Sequence, residues 1–325
     1  MRNLPSLDTS TAKPWLVTGG AGYIGAHVIQ ELAEAGIPSV LLDIDSVSTN
    51  QKFPNLGKFA NCDIRDKASL REVFASHLFE GVIHLVALKS VEESQKMHKE
   101  YFETNVMGTR NILDLMLEFK IDKFIFSSSA AVYEAKFGAE LVNEASPLKP
   151  ISYYGQTKVE AEELILDLSR KEQISSIIFR YFNVAGAATF ELKDKSTQNL
   201  IPITINKLKS GLSPEIFGND YDTPDGTAIR DYVDVRDIAI AHLKAIDYLS
   251  RNSKSHILNI GTGYGASVKE VVTLAQEIMG TEISTLIKER RSGDISAIAA
   301  DCKKAEQVIG FRSHFHLREM IETSI

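Results

Sequence analysis

The residues with the clearest chemical pattern are Tyr154 and Lys158, which lie four positions apart at the start of a helical pattern. That spacing places both side chains on one face of a helix. A tyrosine that acts as a base near pH 7 must give up a proton that it normally holds up to a pKa of about 10. An ammonium group about 4 Å away, at an effective dielectric near 20, supplies roughly the 4 kcal/mol that this shift requires. The pair therefore predicts acid–base chemistry at a substrate hydroxyl group, whereas the neighbouring Tyr153 has only Thr157 at the same spacing.

A run of three serines, Ser127 to Ser129, follows the apolar segment Phe124–Phe126, which predicts a strand. Ligands of open parallel sheets bind at the carboxyl ends of the strands. A hydroxyl group at such a strand end can share the proton of a substrate hydroxyl with a tyrosine. A polar strand end without chemical function is the alternative interpretation of these serines.

A glycine-rich segment follows the predicted strand Trp15–Thr18 and precedes a helical pattern. Its glycines have the spacing G-x-x-G-x-x-G, which permits a tight turn, close approach of a pyrophosphate to the backbone, and close packing of helix on strand. The N-terminus of the following helix then offers N–H groups and partial positive charge to the phosphates. We predict that the cofactor-binding residues of this segment are Gly19, Gly22, Tyr23, Ile24 and Gly25.

Asp43 ends the second predicted strand, 18 residues after Gly25, where a carboxylate can accept a hydrogen bond from a ribose 2′-hydroxyl. A carboxylate repels a 2′-phosphate and no arginine follows it directly, so the sequence favours NAD over NADP. The alternative is that Asp43 only caps a loop. Asp63 and Ile64 follow the third predicted strand and are candidates to flank the adenine.

The elements that must position these residues alternate between strand and helix in the first half of the chain. Six predicted strands span Trp15–Thr18, Ser39–Asp43, Lys58–Cys62, Gly81–Val86, Lys123–Ser127 and Ile174–Arg180. This alternation predicts an α/β fold with a Rossmann-type doubly wound parallel sheet. We predict an NAD-binding domain over residues 1–183, with a return of the chain near residues 233–260. A smaller, partly discontinuous mixed α/β domain over residues 184–325 would bind the substrate.

The composition is that of an ordinary globular protein. The 325 residues are 44% hydrophobic, and 36 Lys and Arg against 43 Asp and Glu give a formal net charge of −7. This acidic balance provides no electrostatic footprint for nucleic acid. Cys62 and Cys302 stand far apart and without metal-binding spacing, so we expect two reduced thiols and no metal. No apolar run reaches the roughly 18 residues of a membrane span, and the first 13 residues do not resemble a signal peptide, so we expect a cytoplasmic protein.

Four motifs and several further segments together carry a family resemblance. The motifs are Thr18–Gly25, Phe124–Tyr133, Tyr154–Lys158 and Arg180–Asn183, and the further segments include Val82–His84, Lys89–Ser94, Ile216–Tyr221, Asp225–Thr227 and Arg230–Tyr232. From about Trp15 to Glu322 the chain resembles the extended short-chain dehydrogenase/reductase family, and within it the sugar-nucleotide epimerases. The resemblance implies permanently bound NAD, a UDP-sugar substrate and a homodimer. It also implies reversible inversion at sugar C4, between UDP-glucose and UDP-galactose, through a transient 4-keto sugar.

The resemblance further implies roles for individual residues. Tyr154 would be the base for the sugar 4-hydroxyl, Ser129 would bond to that hydroxyl, and Lys158 would lower the pKa of Tyr154 and hold the nicotinamide ribose. The remaining residues that would line the cofactor are Lys89, Asn105 and Phe182. Those that would contact the uridine, the diphosphate or the sugar are Asn183, Asn199, Leu200, Phe217, Arg230, Arg291 and Asp294.

Departures from the family pattern leave substrate details open. Glu134 stands where the family usually has glycine, and Leu85 and Val86 are bulkier than usual. Ile298 falls at the position that limits bulk at sugar C2 in the family, so tolerance of an N-acetyl group is undecided. The nearest alternative is therefore another UDP-sugar epimerase, for N-acetylhexosamines or uronates, or a decarboxylase. The non-enzyme alternative is an NAD-binding regulator, which would be expected to have lost the tyrosine or the lysine.

Overall fold

The computed structural model describes residues 12–44, 58–134, 141–291 and 294–325. The described strands are β1 (Trp15–Thr18), β2 (Ser39–Asp43), β3 (Lys58–Asn61), β4 (Gly81–His84), β5 (Lys123–Ser129), β6 (Leu141–Val142), β7 (Ser175–Tyr181), β8 (Asn183–Ala185), β9 (Glu215–Phe217), β10 (Ile229–Asp234), β11 (His256–Ile260), β12 (Gly265–Ser267), β13 (Leu286–Lys288) and β14 (Ala297–Ala300). The described α-helices are α1 (Tyr23–Glu34), α2 (Lys67–Ser76), α3 (Val91–Ser94), α4 (His98–Tyr101), α5 (Gly108–Glu118), α6 (Tyr153–Arg170), α7 (Leu200–Lys209), α8 (Val235–Arg251), α9 (Val268–Met279), α10 (Lys303–Ile309) and α11 (Leu317–Ser324). A π-helical segment, Phe102–Met107, joins α4 to α5, and 3₁₀ turns span Ala130–Val132 and Phe190–Leu192.

Seven of the described strands form one sheet in the order β11-β7-β5-β4-β1-β2-β3. β1 pairs in parallel with β2 and β4, β2 with β3, and β4 with β5. The winding of the chain therefore reverses between β1 and β4, the point where open α/β sheets bind ligands. All six predicted strands lie in this sheet, which confirms the α/β, Rossmann-type fold class. β5 is longer than predicted and includes all three serines, Ser127 to Ser129.

The core of this sheet explains why α6 lies where it does. β1, β4 and β5 contribute fully buried apolar side chains, and α6 packs Ala161 and Ile165 into the same cluster. The spacing of these two residues is the helical i, i+4 spacing that the sequence shows. Burial of this apolar stripe stabilises α6 against β5, at roughly 25 cal/mol for each Å² of apolar surface removed from water.

A second group of strands is built around β10. β10 pairs in parallel with β8 and β14 and antiparallel with β12, and β14 pairs with β6. Separately, β13 pairs in parallel with β9. α7, α9 and α11 pack on this group through a core that includes Ile205, Val271 and Ile321. α9 begins with a capping box in which Ser267 and Glu270 satisfy each other's backbone N–H groups.

The described residues form two compact units that are interleaved along the chain. The first comprises the described residues up to Ala131 together with Ser152–Phe179 and Ala239–Ile257. The second comprises the described residues of Val132–Ile151, Arg180–Ile238 and Leu258–Ile325. The division at residue 183 stays a prediction about domains, and the structure adds that the described residues between Val132 and Ile151 group with the later part of the chain.

Candidate active site

Two glycines close the turn between β1 and α1 because a side chain would not fit there. Gly19 has a φ of +72°, and a Cβ atom on it would lie 2.8 Å from the backbone nitrogen of Val86. A Cβ atom on Gly25 would lie 2.2 Å from the carbonyl oxygen of Gly19. The turn thus forms a backbone cradle at the ends of β1 and β4. This cradle fits the pyrophosphate of a dinucleotide, as the glycine spacing predicts.

The N-terminus of α1 suits an anion. Its N-cap residue is Gly22, which provides no side-chain cap, and its first turn, with Tyr23 and Ile24, contains no acidic residue. Backbone N–H groups and the positive end of a helix dipole favour negative charge at such a position. The local electrostatics therefore agree with the predicted phosphate site.

Asp43 ends β2 beside this turn and is partly buried. Its Oδ2 accepts a hydrogen bond from the backbone N–H of Ala21 at 3.1 Å, and its Oδ1 accepts one from Ile44 at 2.8 Å. The carboxylate therefore does hold the loop, as the capping alternative states. Each carboxylate oxygen has a second lone pair, so the same group can still accept a bond from a ribose hydroxyl.

The two residues predicted to lie near the adenine differ in the exposure of their side chains. Asp63 is partly exposed, and its ion pair with Arg65 lowers the pKa of its carboxyl group. Ile64 is 2% exposed and packs in the core. A Cβ atom on Gly108 would lie 2.5 Å from the Cδ1 of Ile64. Any cofactor contact of Ile64 is therefore made by its backbone, because its side chain points into the core.

Lys89 and Asn105, both predicted to line the cofactor, lie in very different surroundings. Lys89 is exposed in the loop between β4 and α3. Asn105 is buried in the π-helical segment, where its side chain exchanges two hydrogen bonds of 2.9 Å with the backbone of Leu88. Its amide nitrogen also donates to the Thr157 hydroxyl on α6 at 3.0 Å. Asn105 therefore fixes the loop that carries Lys89 relative to the helix that carries Lys158.

The end of β5 contacts one face of α6 through consecutive residues. Lys158 is 2% exposed, and its Nζ donates to the carbonyl oxygen of Ser127 at 2.7 Å and lies 4.9 Å from the centre of the Phe126 ring. The Ser129 hydroxyl forms a hydrogen bond with the Tyr154 side chain. The structure therefore brings together Tyr154, Lys158 and Ser129, the three predicted catalytic residues.

The proton affinity of Tyr154 differs from the expectation. Burial raises the pKa of Tyr154, and the hydrogen bond with Ser129 only partly opposes this. The Nζ of Lys158 is 5.9 Å from the centre of the Tyr154 ring, and burial lowers the pKa of Lys158 to about 7 although the charge of Glu162 raises it. The groups of the chain alone therefore do not lower the pKa of Tyr154, because burial penalises the charged form of both Tyr154 and Lys158.

Two further side chains surround this pair. The ring of Tyr153 stacks on His98 at 4.1 Å, so it is engaged on α4 rather than at the end of β5. His84, at the end of β4, is buried between the hydroxyl groups of Thr18, at 2.6 Å, and Thr109, at 3.1 Å. Burial, and then the charge of Lys158, lower the pKa of His84 to about 3, so this imidazole is neutral.

In the second unit, four predicted substrate residues form two pairs. Arg230 makes an ion pair with Asp294, and its Nη1 donates to the carbonyl oxygen of Ile229 at 2.8 Å. The guanidinium of Arg291 lies 4.0 Å from the centre of the Phe217 ring. Together the two pairs provide two positive charges, one carboxylate and one aromatic face. These are the groups that suit a diphosphate, a ribose hydroxyl and a planar base.

The other predicted contacts of the second unit vary in exposure. The residues concerned are Phe182, Asn183, Asn199 and Leu200. Asn183 is exposed in β8, whereas Phe182 is buried. Asn199 is the N-cap residue of α7, and its amide nitrogen donates to Asp194 at 2.6 Å. Leu200, which follows it, is partly buried against the core of this unit, so its backbone is the part available to a ligand.

Sequence analysis missed several residues that shape the site. They are Phe126, Ser128, His84 and Glu162, together with the bracing role of Asn105, whose cofactor contact stays a prediction. The spacing of Glu162, four residues after Lys158, was a usable signal, because i and i+4 side chains share a helix face. The neutral state of His84 has no such signal, because it depends on burial.

Other chemistries find no support in the described part of the chain. No described helix has the length and apolar composition needed to cross a membrane. Within the same residues, no group of three or more His, Cys, Asp and Glu could hold a metal ion. Cys62 and Cys302 are free thiols, and burial raises their pKa values to about 11 and about 12, so neither is an activated nucleophile.

Comparisons with known proteins agree with this site. The sequence profile of the NAD dependent epimerase/dehydratase family matches residues 15–261. A curated UDP-glucose 4-epimerase of Azospirillum brasilense is 37% identical over 309 residues, which cover 94% of this chain and 88% of that protein. One of Rhizobium meliloti (strain 1021) is 36% identical over 316 residues, which cover 95% of each.

The fold has close structural counterparts as well. A crystal structure of UDP-glucose-4-epimerase from Stenotrophomonas maltophila, with bound NAD and formylated UDP-arabinopyranose, matches with a TM-score of 0.91. Its sequence is 34% identical, and the match covers 96% of both chains. The structural similarity therefore extends over almost the whole chain.

Proposed function

The chain belongs to the NAD dependent epimerase/dehydratase family, and from this premise we propose that it interconverts UDP-glucose and UDP-galactose by inverting C4 of the sugar with bound NAD. The observation that carries the proposal is the end of β5, where Ser129 bonds to Tyr154 and Lys158 is buried beside them. A hydroxyl-directed acid–base pair is what oxidation and reduction of a sugar hydroxyl require. The relatives named UDP-glucose 4-epimerase support the choice of substrate.

NAD would be held by the first unit. The turn formed by Gly19, Gly22 and Gly25 and the N-terminus of α1 suit its pyrophosphate, and Asp43 suits its adenosine ribose. When bound, NAD would accept the hydrogen of sugar C4 as hydride, return it to the opposite face, and add a positive charge near the phenol. Lys158 would bond to the nicotinamide ribose.

Tyr154 is the acid–base residue of the proposal. Its phenolate takes the proton of the sugar 4-hydroxyl as C4 is oxidised to the ketone, and the resulting phenol returns that proton to the oxygen when C4 is reduced. With the sugar bound, Ser129 would turn its single O–H donor from Tyr154 to the same sugar oxygen and orient it. General acid–base help of this kind contributes typically 10²–10⁴-fold. Because Lys158 alone does not ionise Tyr154, the charge of the bound cofactor is the additional contribution that the mechanism requires.

The second unit would hold the nucleotide. Arg230 and Arg291 carry the positive charge that a diphosphate needs, and planar guanidinium groups match phosphate oxygens in pairs. Phe217 offers a ring face to uracil, and Asp294 can accept from a ribose hydroxyl. Inversion requires that the 4-keto sugar present its other face, so these residues must hold the nucleotide while the sugar turns about the phosphate link.

The proposal is tested by incubating the purified protein with UDP-galactose and following the sugar signals by NMR. Formation of UDP-glucose from UDP-galactose, and of UDP-galactose from UDP-glucose in the reverse incubation, both without added NAD, supports it. Parallel incubations with UDP-N-acetylgalactosamine and UDP-glucuronate test the other UDP-sugar reactions. Conversion of one of these with no reaction of UDP-galactose would replace the proposed substrate, and no conversion at all would favour the NAD-binding regulator.

Association and compartment remain part of the proposal. We infer that two copies of the chain associate, as the family resemblance implies. Met97, Phe102 and Met107 are 36%, 38% and 37% exposed and form apolar surface on the segment from α4 to α5 that a second copy could cover. The two free thiols agree with a reducing compartment, which supports the prediction of a cytoplasmic protein.

A further inference from the structure

A buried carboxylate lies on the same face of α6 as the two predicted catalytic side chains. Tyr154, Lys158 and Glu162 follow one another at intervals of four residues, so all three lie along one side of the helix. Glu162 is 1% exposed. A carboxylate is among the least common side chains at this degree of burial unless it is paired. Its position therefore requires a physical explanation.

The hydroxyl group of Ser128 provides one fixed partner. Ser128, on β5, is 2% exposed, and its Oγ donates to the Oε1 of Glu162 at 2.5 Å. This hydrogen bond fixes the position of the Glu162 carboxyl group against β5. Because Ser127, Ser128 and Ser129 are consecutive, one strand end contacts Lys158, Glu162 and Tyr154 in turn. The register of β5 against α6 thus fixes all three groups together.

Lys158 has few other groups that could keep it charged. Burial lowers its pKa to about 7, and the charge of Glu162 acts in the opposite direction. On β4, His84 is neutral, and on β5 the neighbours of Nζ are the Phe126 ring and a backbone carbonyl. On the elements packed against the start of α6, Glu93 of α3 is bonded to the Tyr101 hydroxyl of α4.

The titratable groups on these packed elements are otherwise solvated or paired elsewhere. Glu92 of α3 pairs with Lys96, and Glu103 of the π-helical segment pairs with Lys99 of α4, and all four are at the surface. On α4 itself, His98 stacks on Tyr153 and Glu100 is exposed. Tyr154 is the remaining neighbour on α6 and is uncharged while its pKa is raised.

We propose that Glu162 is a positioning residue of the reaction, whose buried carboxylate, held by Ser128, is the counter-charge that keeps Lys158 an ammonium group beside Tyr154. The inference rests on the proposed function, in which a charged Lys158 assists the phenol and holds the ribose. Glu162 touches neither substrate nor cofactor in this account. It acts through Lys158 and through the register of α6 on β5.

The direction of the effect follows from the charges. Removal of a negative charge near a buried ammonium group favours loss of its proton, so the pKa of Lys158 falls further. At neutral pH the lysine is then mostly uncharged. Activity that depends on the ammonium group is lost as pH rises through that pKa, so the alkaline limb of the pH profile moves to lower pH.

The test compares Glu162→Gln with Glu163→Gln, which removes an exposed carboxylate from the next position of the same helix. Glutamine keeps the shape of Glu162 and the acceptor for Ser128 but lacks the charge. The direct readout is the NMR titration of the ¹³Cε signal of Lys158 in ¹³C-lysine-labelled protein, identified by its loss in Lys158→Met. The midpoint is expected to fall by about one pH unit or more in Glu162→Gln, and to stay unchanged in Glu163→Gln.

The activity profile provides the second readout. For epimerisation of UDP-galactose, the alkaline limb is expected to move by the same amount as the titration, and Glu162→Asp, which restores the charge, should move it back at least halfway. An unchanged Lys158 midpoint in folded Glu162→Gln overturns the proposal. A uniform loss of activity at all pH values without a shifted midpoint also overturns it, because it indicates a purely structural residue.

A reciprocal measurement covers the case in which Glu162→Gln does not fold. Coupling between two sites is symmetric, so Lys158→Met must raise the pKa of Glu162, read from its ¹³Cδ signal, by about the amount that Glu162 raises the pKa of Lys158. Absence of that shift overturns the proposal. Both titrations are measured without substrate, so a wild-type protein that proves inactive on UDP-sugars contradicts the proposed function and not this coupling.

Discussion

At the scale of single residues, the central question is what makes a tyrosine a base. Tyr154 lies in surroundings that hold its proton more tightly than water does, and the hydrogen bond with Ser129 opposes this only in part. Lys158 is itself penalised by burial. The described residues thus position the acid–base group, and the proposed mechanism assigns part of its ionisation to the charge of the bound cofactor.

Replacement of Tyr154 is expected to remove the proton transfer and to leave cofactor binding unchanged. Tyr154→Phe is expected to lower turnover of UDP-galactose by at least 10²-fold, because general acid–base help is worth 10²–10⁴-fold. The NAD released from the denatured variant, measured by chromatography, should equal that of the wild type, since the glycine turn is untouched. Full activity of the variant would refute the assignment of Tyr154.

Ser129→Ala is expected to make Tyr154 harder to ionise. The hydrogen bond from Ser129 lowers the pKa of Tyr154, so its removal raises that pKa. Activity that needs the phenolate appears as pH rises through this pKa, and the acid limb of the pH profile should therefore move upward by about one pH unit.

The matched control for this variant is Ser127→Ala. Lys158 bonds to the backbone carbonyl of Ser127, which alanine retains. Its pH profile should therefore coincide with that of the wild type. An acid limb that moves equally in both variants would show that the serine run acts through general polarity rather than through the Ser129 hydrogen bond.

At the scale of residues, the sequence predicts contacts between side chains that lie on the same helix or strand. Tyr154 and Lys158 were found because they share a helix face, and the structure places Ser129 with them. The raised pKa of Tyr154 was not found, because it results from burial by residues distant in sequence. Glu162 had the same helical spacing, but its importance depends on Ser128, on a different element.

At the scale of elements, the turn between β1 and α1 is the part of the first unit in which the backbone, rather than a side chain, is predicted to bind the cofactor. Its two critical contacts are backbone against backbone, between Gly19 and Val86 and between Gly25 and Gly19. The backbone at these contacts cannot move aside as a flexible side chain can. Gly22 is less confined, because a Cβ atom there would lie 3.2 Å from the carbonyl oxygen of Gly19.

Alanine substitutions separate packing from phosphate binding in this turn. Gly25→Ala is expected to destabilise the fold by about 1–3 kcal/mol, because the added methyl group overpacks a rigid contact, and to lower NAD content. Gly22→Ala should change the melting temperature little. It should still reduce NAD content, because a methyl group at this position would hinder the approach of the pyrophosphate to the backbone of the predicted cradle. Thermal unfolding and chromatography of bound nucleotide measure both effects, and equal stability of the two variants would contradict the packing argument.

Elements were predictable where their signals are local. The six strands and the helix after the glycine turn follow from apolar runs, glycines and periodicity, and all are present. The π-helical segment Phe102–Met107 was not predicted, and in it Asn105 braces the Lys89 loop through three hydrogen bonds. Ile64 stays a candidate to flank the adenine through its backbone. That its side chain packs in the core was not predicted, since short sequence context does not show which face of a loop is buried.

At the scale of the whole molecule, the burial of one histidine makes the stability of the fold depend on pH. Burial lowers the pKa of His84 from 6.5 to about 3. Between these two values the unfolded chain binds a proton that the folded chain does not. The contribution of neutral His84 to the free energy of unfolding is therefore fully present above pH 6.5. It is lost as pH falls towards 3, by up to about 1.4 kcal/mol for each pH unit.

His84→Asn is expected to flatten this acid dependence. The variant should be less stable than the wild type at pH 7, by about 1–3 kcal/mol, because the hydrogen bonds to Thr18 and Thr109 are disturbed. Its stability should fall less between pH 6 and pH 4. Urea unfolding, followed by the fluorescence of the single tryptophan, Trp15, measures the difference, and parallel losses in both proteins would show that His84 is not the source.

The chain's large-scale organisation was predictable in class but not in detail. Strand–helix alternation predicts the doubly wound sheet, and the expected return near residues 233–260 overlaps the segment Ala239–Ile257 of the first unit. The assignment of the described residues between Val132 and Ile151 to the second unit agrees with the pairing of β6 with β14, more than 150 residues later. Pairing over such a separation leaves no local signature in the sequence.

The central claim is that C4 is inverted by removal and return of its own hydrogen, with Tyr154 carrying only the hydroxyl proton. The most direct measurement is ¹H NMR of UDP-galactose incubated with the protein in D₂O. The account predicts UDP-glucose that retains the C4 hydrogen, because this hydrogen never passes through a group that exchanges with solvent. UDP-glucose with deuterium at C4 would contradict the account, as it would mean that C4 is deprotonated rather than oxidised.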